Sequence, residues 1–248
     1  MSGARALNWA HRGASGHAPQ NTLAAFRLAA EMGADGIELD VHLSADDHVV
    51  VIHNGTVDAT TDGRGRVCDL TLEALQSLDA GSWHSPRFAG QRIPTLEQVF
   101  ADVGQRLLIN VEIKGELGRR TSGQLEAAVV QLIEAHVLVD RVIVSSFFPG
   151  SLRWVRKLNP DIPLGFLYSG RVHKRLPFWF YRLLVPYDAL HPSYDLVDAA
   201  YVARAGSKNP LNVWTVNDEA DLRRMCELGV TGIITNYPDR LARILSGN

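Results

Sequence analysis

The chain has 248 residues, 46% of them hydrophobic and 21% charged, with a formal net charge of −2. That composition allows one large domain or two small ones with a sizeable core, and it excludes the broad basic field a nucleic-acid partner requires. Cys68 and Cys226 are the only cysteines and lie far apart, so neither a disulfide framework nor a thiolate zinc site is indicated. The opening MSGARALNWAHRG has no signal-peptide core, and no segment approaches the roughly 20 apolar residues of a membrane span. The expected location is the cytoplasm.

In chain order, strand-like runs alternate with helical ones. The strands are expected at LNWAH (7–11), GIELDV (36–41), LLINVEIK (107–114), RVIVSSF (141–147), PLGFLYS (163–169), DALHPS (188–193), LNVWTVN (211–217) and GIITN (232–236). NTLAAFRLAAEM, SGQLEAAVVQLIEAH, GSLRWVRKLN, DAAYVARAG, EADLRRMCEL and DRLARILSG read as helices, several of them closed by a glycine. Eight strands each followed by a helix predict a single (β/α)₈ TIM barrel over residues 1–248.

VVVIH (49–53) is a further strand candidate. A parallel neighbour needs a crossover of about a dozen residues, and only 44–48 separate this run from the preceding strand, so the two must form an antiparallel hairpin. The turn falls at Ala45-Asp46-Asp47, and the return limb carries His53 back toward the height of Asp40. From about residue 54 to 104 an insertion is expected beside the barrel mouth, with DGRGR, the helical LTLEALQSLDA, a turn-rich WHSPRFAGQRIP and a second helix in TLEQVFADVG.

Side chains alternate along a strand. Ile37, Leu39 and Val41 therefore face the helix layer while Glu38 and Asp40 face the barrel interior, and Asn110, Glu112 and Lys114 share that inward parity. Unpaired buried carboxylates cost several kcal/mol. A divalent cation removes that cost, and an all-oxygen ligand set favours Mg²⁺ or Ca²⁺. The competing reading is an internal salt-bridge network of Glu38, Asp40, Glu112, Lys114 and Arg12, which leaves three acids against two bases. The first strand ends in AHRG, so His11 and Arg12 leave at the same mouth. His11 and His53 make a plausible acid/base pair, and Arg12 and Lys114 supply positive charge for a phosphate. One metal, two cations and two histidines suit a phosphodiester.

The motifs in order are HRG (11–13), PQNT (19–22), GADGIELDV, VVIHN, IPTL (93–96), NVEIK, WTVN (214–217) and GVTGIITNYP. In this the chain resembles the glycerophosphodiester phosphodiesterase family from about Leu7 to Asp239. The resemblance implies a barrel hydrolase that cleaves glycerophosphodiesters to glycerol 3-phosphate and an alcohol. It implies Glu38, Asp40 and Glu112 as metal ligands, His11 and His53 as the general acid/base pair, Arg12 and Lys114 as phosphate holders, and Trp214 as a wall against the glycerol. Gln20, Asn54 and Asn236 stand where that family has acids, and Ala59 where it has an arginine; each amide keeps shape and hydrogen bonding but removes a charge. Two other readings stay open: a lysophospholipase D-type activity and a non-catalytic phosphate- or lipid-binding relative. A dinuclear amidohydrolase-type barrel is disfavoured because the first strand has no H-x-H. RVHKRLPFWFYRLLVPYD (171–188) is read either as an ordinary barrel helix or as a basic-aromatic lip that touches membrane or holds an acyl chain.

Overall fold

The computed structural model describes residues 5–114, 123–170, 185–205 and 209–247. In chain order the elements are β1 (Leu7–His11), α1 (Leu23–Glu31), β2 (Gly36–Leu43), β3 (Val49–Val51), α2 (Leu72–Ser77), α3 (Leu96–Val103), β4 (Leu108–Ile113), α4 (Gln124–Ala135), β5 (Val142–Ser146), α5 (Pro149–Leu158), β6 (Leu164–Tyr168), β7 (Ala189–Pro192), α6 (Ala199–Ala205), β8 (Asn212–Val213), α7 (Glu219–Glu227), β9 (Gly232–Thr235) and α8 (Pro238–Leu245). The segment 171–188, read as a barrel helix or as a basic-aromatic lip, lies as far as residue 184 outside the described residues.

The strands order as β7-β6-β5-β4-β2-β1-β9-β8 in a parallel sheet, with β3 attached to β2. Bridges Leu190↔Leu211 and Ser193↔Trp214 bring β8 back to β7. The result is a nearly closed eight-stranded parallel barrel with helices outside it, the (β/α)₈ architecture that the alternation of elements predicts. β8 is shorter than the run at 211–217, although the chain beyond Val213 still bonds to the strands on both sides: Trp214 N donates to Pro192 O at 3.2 Å and Val216 N to Ile234 O at 3.0 Å.

Pairing sets which side chains share a level of the interior. His11 pairs with Glu38, Glu38 with Asn110, Asp40 with Glu112, and Glu112 with Ser145. Ile37, Leu39, Val41, Ile109, Val111 and Ile113, one residue out of phase, join the core beneath the helices. Lower in the barrel large side chains fill the space, and glycine makes room for them. A Cβ on Gly36 would meet the Trp9 ring at 2.6 Å, and one on Gly165 would meet the His191 ring at 2.6 Å.

β2 and β3 form the antiparallel hairpin, with Val41↔Val51, His42↔Val50 and Leu43↔Val49. Its turn is closed by Asp47 N donating to Ser44 O at 3.2 Å, with Asp47 at φ 64, a conformation that Asp tolerates better than bulkier residues. Ile52 N donates to Asp40 O at 3.0 Å, which brings His53 alongside β2.

The segment after the hairpin divides in two. Val57, Val67, Leu75, Ala80 and Ile93 form a small cluster with Val50 and Ile52, apart from the main core. The half-buried carboxylate of Asp79 stitches its loop together, accepting from the backbone N–H groups of Gly81, Ser82 and Gly90 at 2.6–2.8 Å. The second helix behaves differently from the cap in which the sequence reading grouped it: Leu96, Val99, Phe100 and Val103 of α3 belong to the main core. β2 and β4 are parallel neighbours, so the connection between them needs a crossover helix on the barrel wall, and α3 fills that position. Its start is fixed by a capping box between Thr95 and Gln98.

Candidate active site

Glu38 and Asp40 of β2 and Glu112 of β4 converge inside the barrel mouth. Among the described residues they form the one cluster of acidic or histidine side chains close enough for a shared ion, with one oxygen from each lying within 4.8 Å of the others. All three are buried, Asp40 completely. Lys114, one residue past β4, reaches back with Nζ at 2.8 Å from Asp40 Oδ1 and 2.6 Å from Glu112 Oε1. Arg12 sits on the other side, Nε 3.2 Å from Asp40 Oδ2, while its Nη1 donates to Gln20 Oε1 at 2.8 Å. Its backbone N–H donates to Glu38 Oε2 at 3.1 Å.

Charge does not balance among these groups. Burial pushes the Asp40 carboxyl up, but Lys114 and Arg12, with His53 behind them, outweigh it and hold Asp40 well below the usual carboxylate range. Glu38 has no such protection: burial first, then the charges of Asp40 and Glu112, push its carboxyl well above the ordinary value, against weaker opposition from Arg12 and Lys114. Glu112 is also raised, by burial and then by Asp40, with Lys114 opposing. Three buried acids faced by two cations leave one negative charge over, and an all-oxygen donor set with an excess charge fits a hard divalent cation.

The two imidazoles stand on the same mouth. His11 Nδ1 donates to Asn236 Oδ1 at 2.6 Å, and its Nε2 lies 3.8 Å from Glu38 Oε2. His53 Nδ1 donates in the same way to Asn54 Oδ1 at 2.7 Å. An amide oxygen only accepts, so each ring carries its proton on Nδ1 and presents a bare Nε2. Burial, then the charge of Arg12, lowers the His11 pKa to about 3, with Asp40 and the Asn236 contact opposing. His53 is lowered too, chiefly by burial and against the pull of Asp40.

A cavity of about 240 Å³ opens onto these groups, with His11, Arg12, Glu38, His53, Glu112 and Lys114 on its polar side. Phe147, Leu167, Trp214 and Ile234 line the other. Trp214 is fixed by its indole N–H donating to His191 O at 2.6 Å and by an edge-on contact with Phe147, ring centroids 5.4 Å apart. All eight residues singled out from sequence thus come together around one cavity or its acidic floor.

Other features were not legible beforehand. Asn21 Nδ2 donates to Asp40 Oδ2 at 2.8 Å from a left-handed backbone that asparagine tolerates; the PQNT motif contains this residue but does not say what it touches. The amides of Asn54 and Asn236 are contacts of the histidines themselves. Phe147 and Leu167 enter the pocket from neighbouring strands, a fact that needs the barrel to be closed. His17, in the loop after β1, pairs with Asp239 at 2.9 Å. His191 is a buried packing histidine next to Asn212, with its pKa lowered to about 3 by burial.

The chain is similar to known proteins along nearly its whole length. A glycerophosphodiester phosphodiesterase of Caldanaerobacter subterraneus subsp. tengcongensis is 43% identical over 240 residues, covering 95% of this chain and 96% of that protein. Human glycerophosphodiester phosphodiesterase 1 is 36% identical over 84% of this chain and 71% of its own length. Among solved structures, a phosphodiesterase of Oleispira antarctica in complex with the product sn-glycerol-3-phosphate superposes with a TM-score of 0.88 at 29% identity, over 98% of this chain and 97% of that one. The glycerophosphoryl diester phosphodiesterase family matches residues 11–240. With a carboxylate cluster, two imidazoles and two cations on one barrel mouth and a family match across nearly its whole length, this chain belongs to the glycerophosphoryl diester phosphodiesterase family.

Proposed function

We propose that the protein hydrolyses glycerophosphodiesters to glycerol 3-phosphate and an alcohol, with Glu38, Asp40 and Glu112 holding one divalent cation, Mg²⁺ or Ca²⁺. The observation that carries this reading is the unbalanced acid trio facing the same cavity as two Nδ1-protonated histidines. When bound, the cation supplies Lewis-acid polarisation of the phosphodiester and a template for its orientation. Arg12, anchored by Asp40 and Gln20, and Lys114 hold the phosphate by charge-assisted hydrogen bonds. Trp214, with Phe147 behind it, forms the apolar wall for the glycerol carbons.

The bare Nε2 of one histidine takes the proton of the attacking oxygen. The other ring gains a proton as the anionic diester settles beside it, since a nearby negative charge favours imidazolium, and gives that proton to the leaving alkoxide. The attacker is either the substrate's own 2-hydroxyl, through a cyclic phosphate, or water; turnover of a 2-deoxyglycerol analogue separates the two. No helix among the described residues is long and apolar enough to cross a membrane. The test is an EDTA-treated sample assayed on glycerophosphocholine, glycerophosphoethanolamine and lysophosphatidylcholine with Mg²⁺ or Ca²⁺ added back. Cation-dependent release of glycerol 3-phosphate from the first two is the expected result. Turnover of lysophosphatidylcholine alone moves the substrate class to lysophospholipids, and undiminished activity in EDTA overturns the metal role.

A further inference from the structure

Asn21 and Arg12 are both non-glycine residues with a left-handed backbone, φ 58 and φ 56, and they are joined by Asn21 N donating to Arg12 O at 3.0 Å. Backbone in that region is unfavourable for side chains with a Cβ and persists where the surroundings over-determine it. Both side chains converge on one atom: Asn21 Nδ2 donates to Asp40 Oδ2 at 2.8 Å, and Arg12 Nε lies 3.2 Å from the same oxygen. Asn21 is 4% exposed and Asp40 is fully buried, so water does not compete for that oxygen. The amide hydrogen bond takes one lone pair of that oxygen, and the Arg12 guanidinium lies beside it as an ion pair that makes no hydrogen bond through Nε. Asp40 Oδ1, by contrast, accepts no hydrogen bond and has Lys114 Nζ as an ion-pair contact at 2.8 Å.

We propose that Asn21 is a positioning residue which, together with Arg12, keeps Asp40 a one-oxygen donor and thereby sets the cation preference of the acidic cluster. The proposal rests on the reading of Glu38, Asp40 and Glu112 as cation ligands and extends it. Mg²⁺ is small and demands octahedral, one-oxygen contacts, whereas Ca²⁺ accepts more oxygens and takes carboxylates in two-oxygen fashion. Occupying Oδ2 therefore disfavours Ca²⁺ relative to Mg²⁺ at this carboxylate. Without the amide, Asp40 is free to rotate and offer both oxygens.

The variant Asn21→Gly isolates the side chain, because glycine adopts the left-handed backbone without penalty. Calorimetric titration of Mg²⁺ and of Ca²⁺ into EDTA-treated protein, parent and variant, reads the effect without any assay of turnover. The expected result is a roughly tenfold rise in the Ca²⁺-over-Mg²⁺ affinity ratio in Asn21→Gly, the scale of one hydrogen bond to a charged group. A merely structural role lowers both affinities in parallel and leaves the ratio unchanged, which overturns the proposal, as does no change in either. A parent that binds neither cation overturns the cluster reading itself, and the proposal with it. If Asn21→Gly does not fold by circular dichroism, a crystal structure of the parent with Ca²⁺ decides: Asp40 engaged through Oδ1 alone, with Asn21 still on Oδ2, supports the proposal, and two-oxygen engagement overturns it.

Discussion

His11 and Asn236 meet through Nδ1 and Oδ1 at 2.6 Å, and Ser15 Oγ lies 3.1 Å from the same amide oxygen. The contact orients the imidazole without lending it a negative charge, so burial and Arg12 are free to depress its pKa to about 3. Asn236→Asp keeps the shape and adds the charge. A carboxylate at this distance raises an imidazole by about one unit or more. If the neutral ring is needed as a base, the acidic limb of the kcat/KM profile moves to higher pH by that amount; an unmoved limb removes His11 from the rate-determining ionisation.

His53 lines the same cavity, with its Nδ1 fixed by Asn54. General acid/base catalysis contributes about 10²–10⁴-fold. His53→Ala should lower kcat within that range while the KM for glycerophosphocholine stays near the parental value, since Arg12 and Lys114 still hold the phosphate. Steady-state kinetics read both numbers, and a fully active alanine variant contradicts the role.

Burial first, and then the charges of Asp40 and Glu112 that the two cations do not balance, raise the Glu38 carboxyl well above its ordinary value of 4.5. The folded protein then holds a proton that the unfolded chain has already released. Stability of the cation-free protein accordingly falls as pH rises above about 4.5 toward the raised folded value. Glu38→Gln removes the excess charge. Thermal unfolding in EDTA should show the variant gaining on the parent as pH climbs from about 5 to 8, and added Mg²⁺ should flatten the parent's slope. A difference independent of pH defeats the idea of an uncompensated charge.

Phe100 tests where the barrel wall ends and the cap begins. It is 2% exposed in the main core, on a helix that the sequence alone groups with the insertion. Burial at that depth predicts a loss of about 3–5 kcal/mol for Phe100→Ala, read as a lower denaturation midpoint for the whole molecule. A helix belonging to a detachable cap would lose its own signal first and leave the barrel transition in place.

Much of this was legible in local pattern. Period-two alternation put Glu38, Asp40, Glu112 and Lys114 on one side of their strands, because a pleated backbone turns successive side chains to opposite faces whatever surrounds it. The five residues between Leu43 and Val49 forced the hairpin, since a parallel return has no room for its crossover. The order of elements implied a barrel because parallel neighbours demand helices between them.

What the chain could not state by itself is which distant residues meet. Asn21 and Asp40 meet once β1 lies beside β2, His11 and Asn236 once β9 lies beside β1, and Phe147 and Trp214 once β8 has come back to β7. Left-handed backbone at Arg12 and Asn21, the assignment of α3 to the wall, and the depressed or raised acidity of each buried group have the same origin. Local propensity and alternation act over a few residues of chain, whereas packing and electrostatics inside a closed barrel act over a few ångströms of space between residues as far apart in sequence as His11 and Asn236, 225 positions.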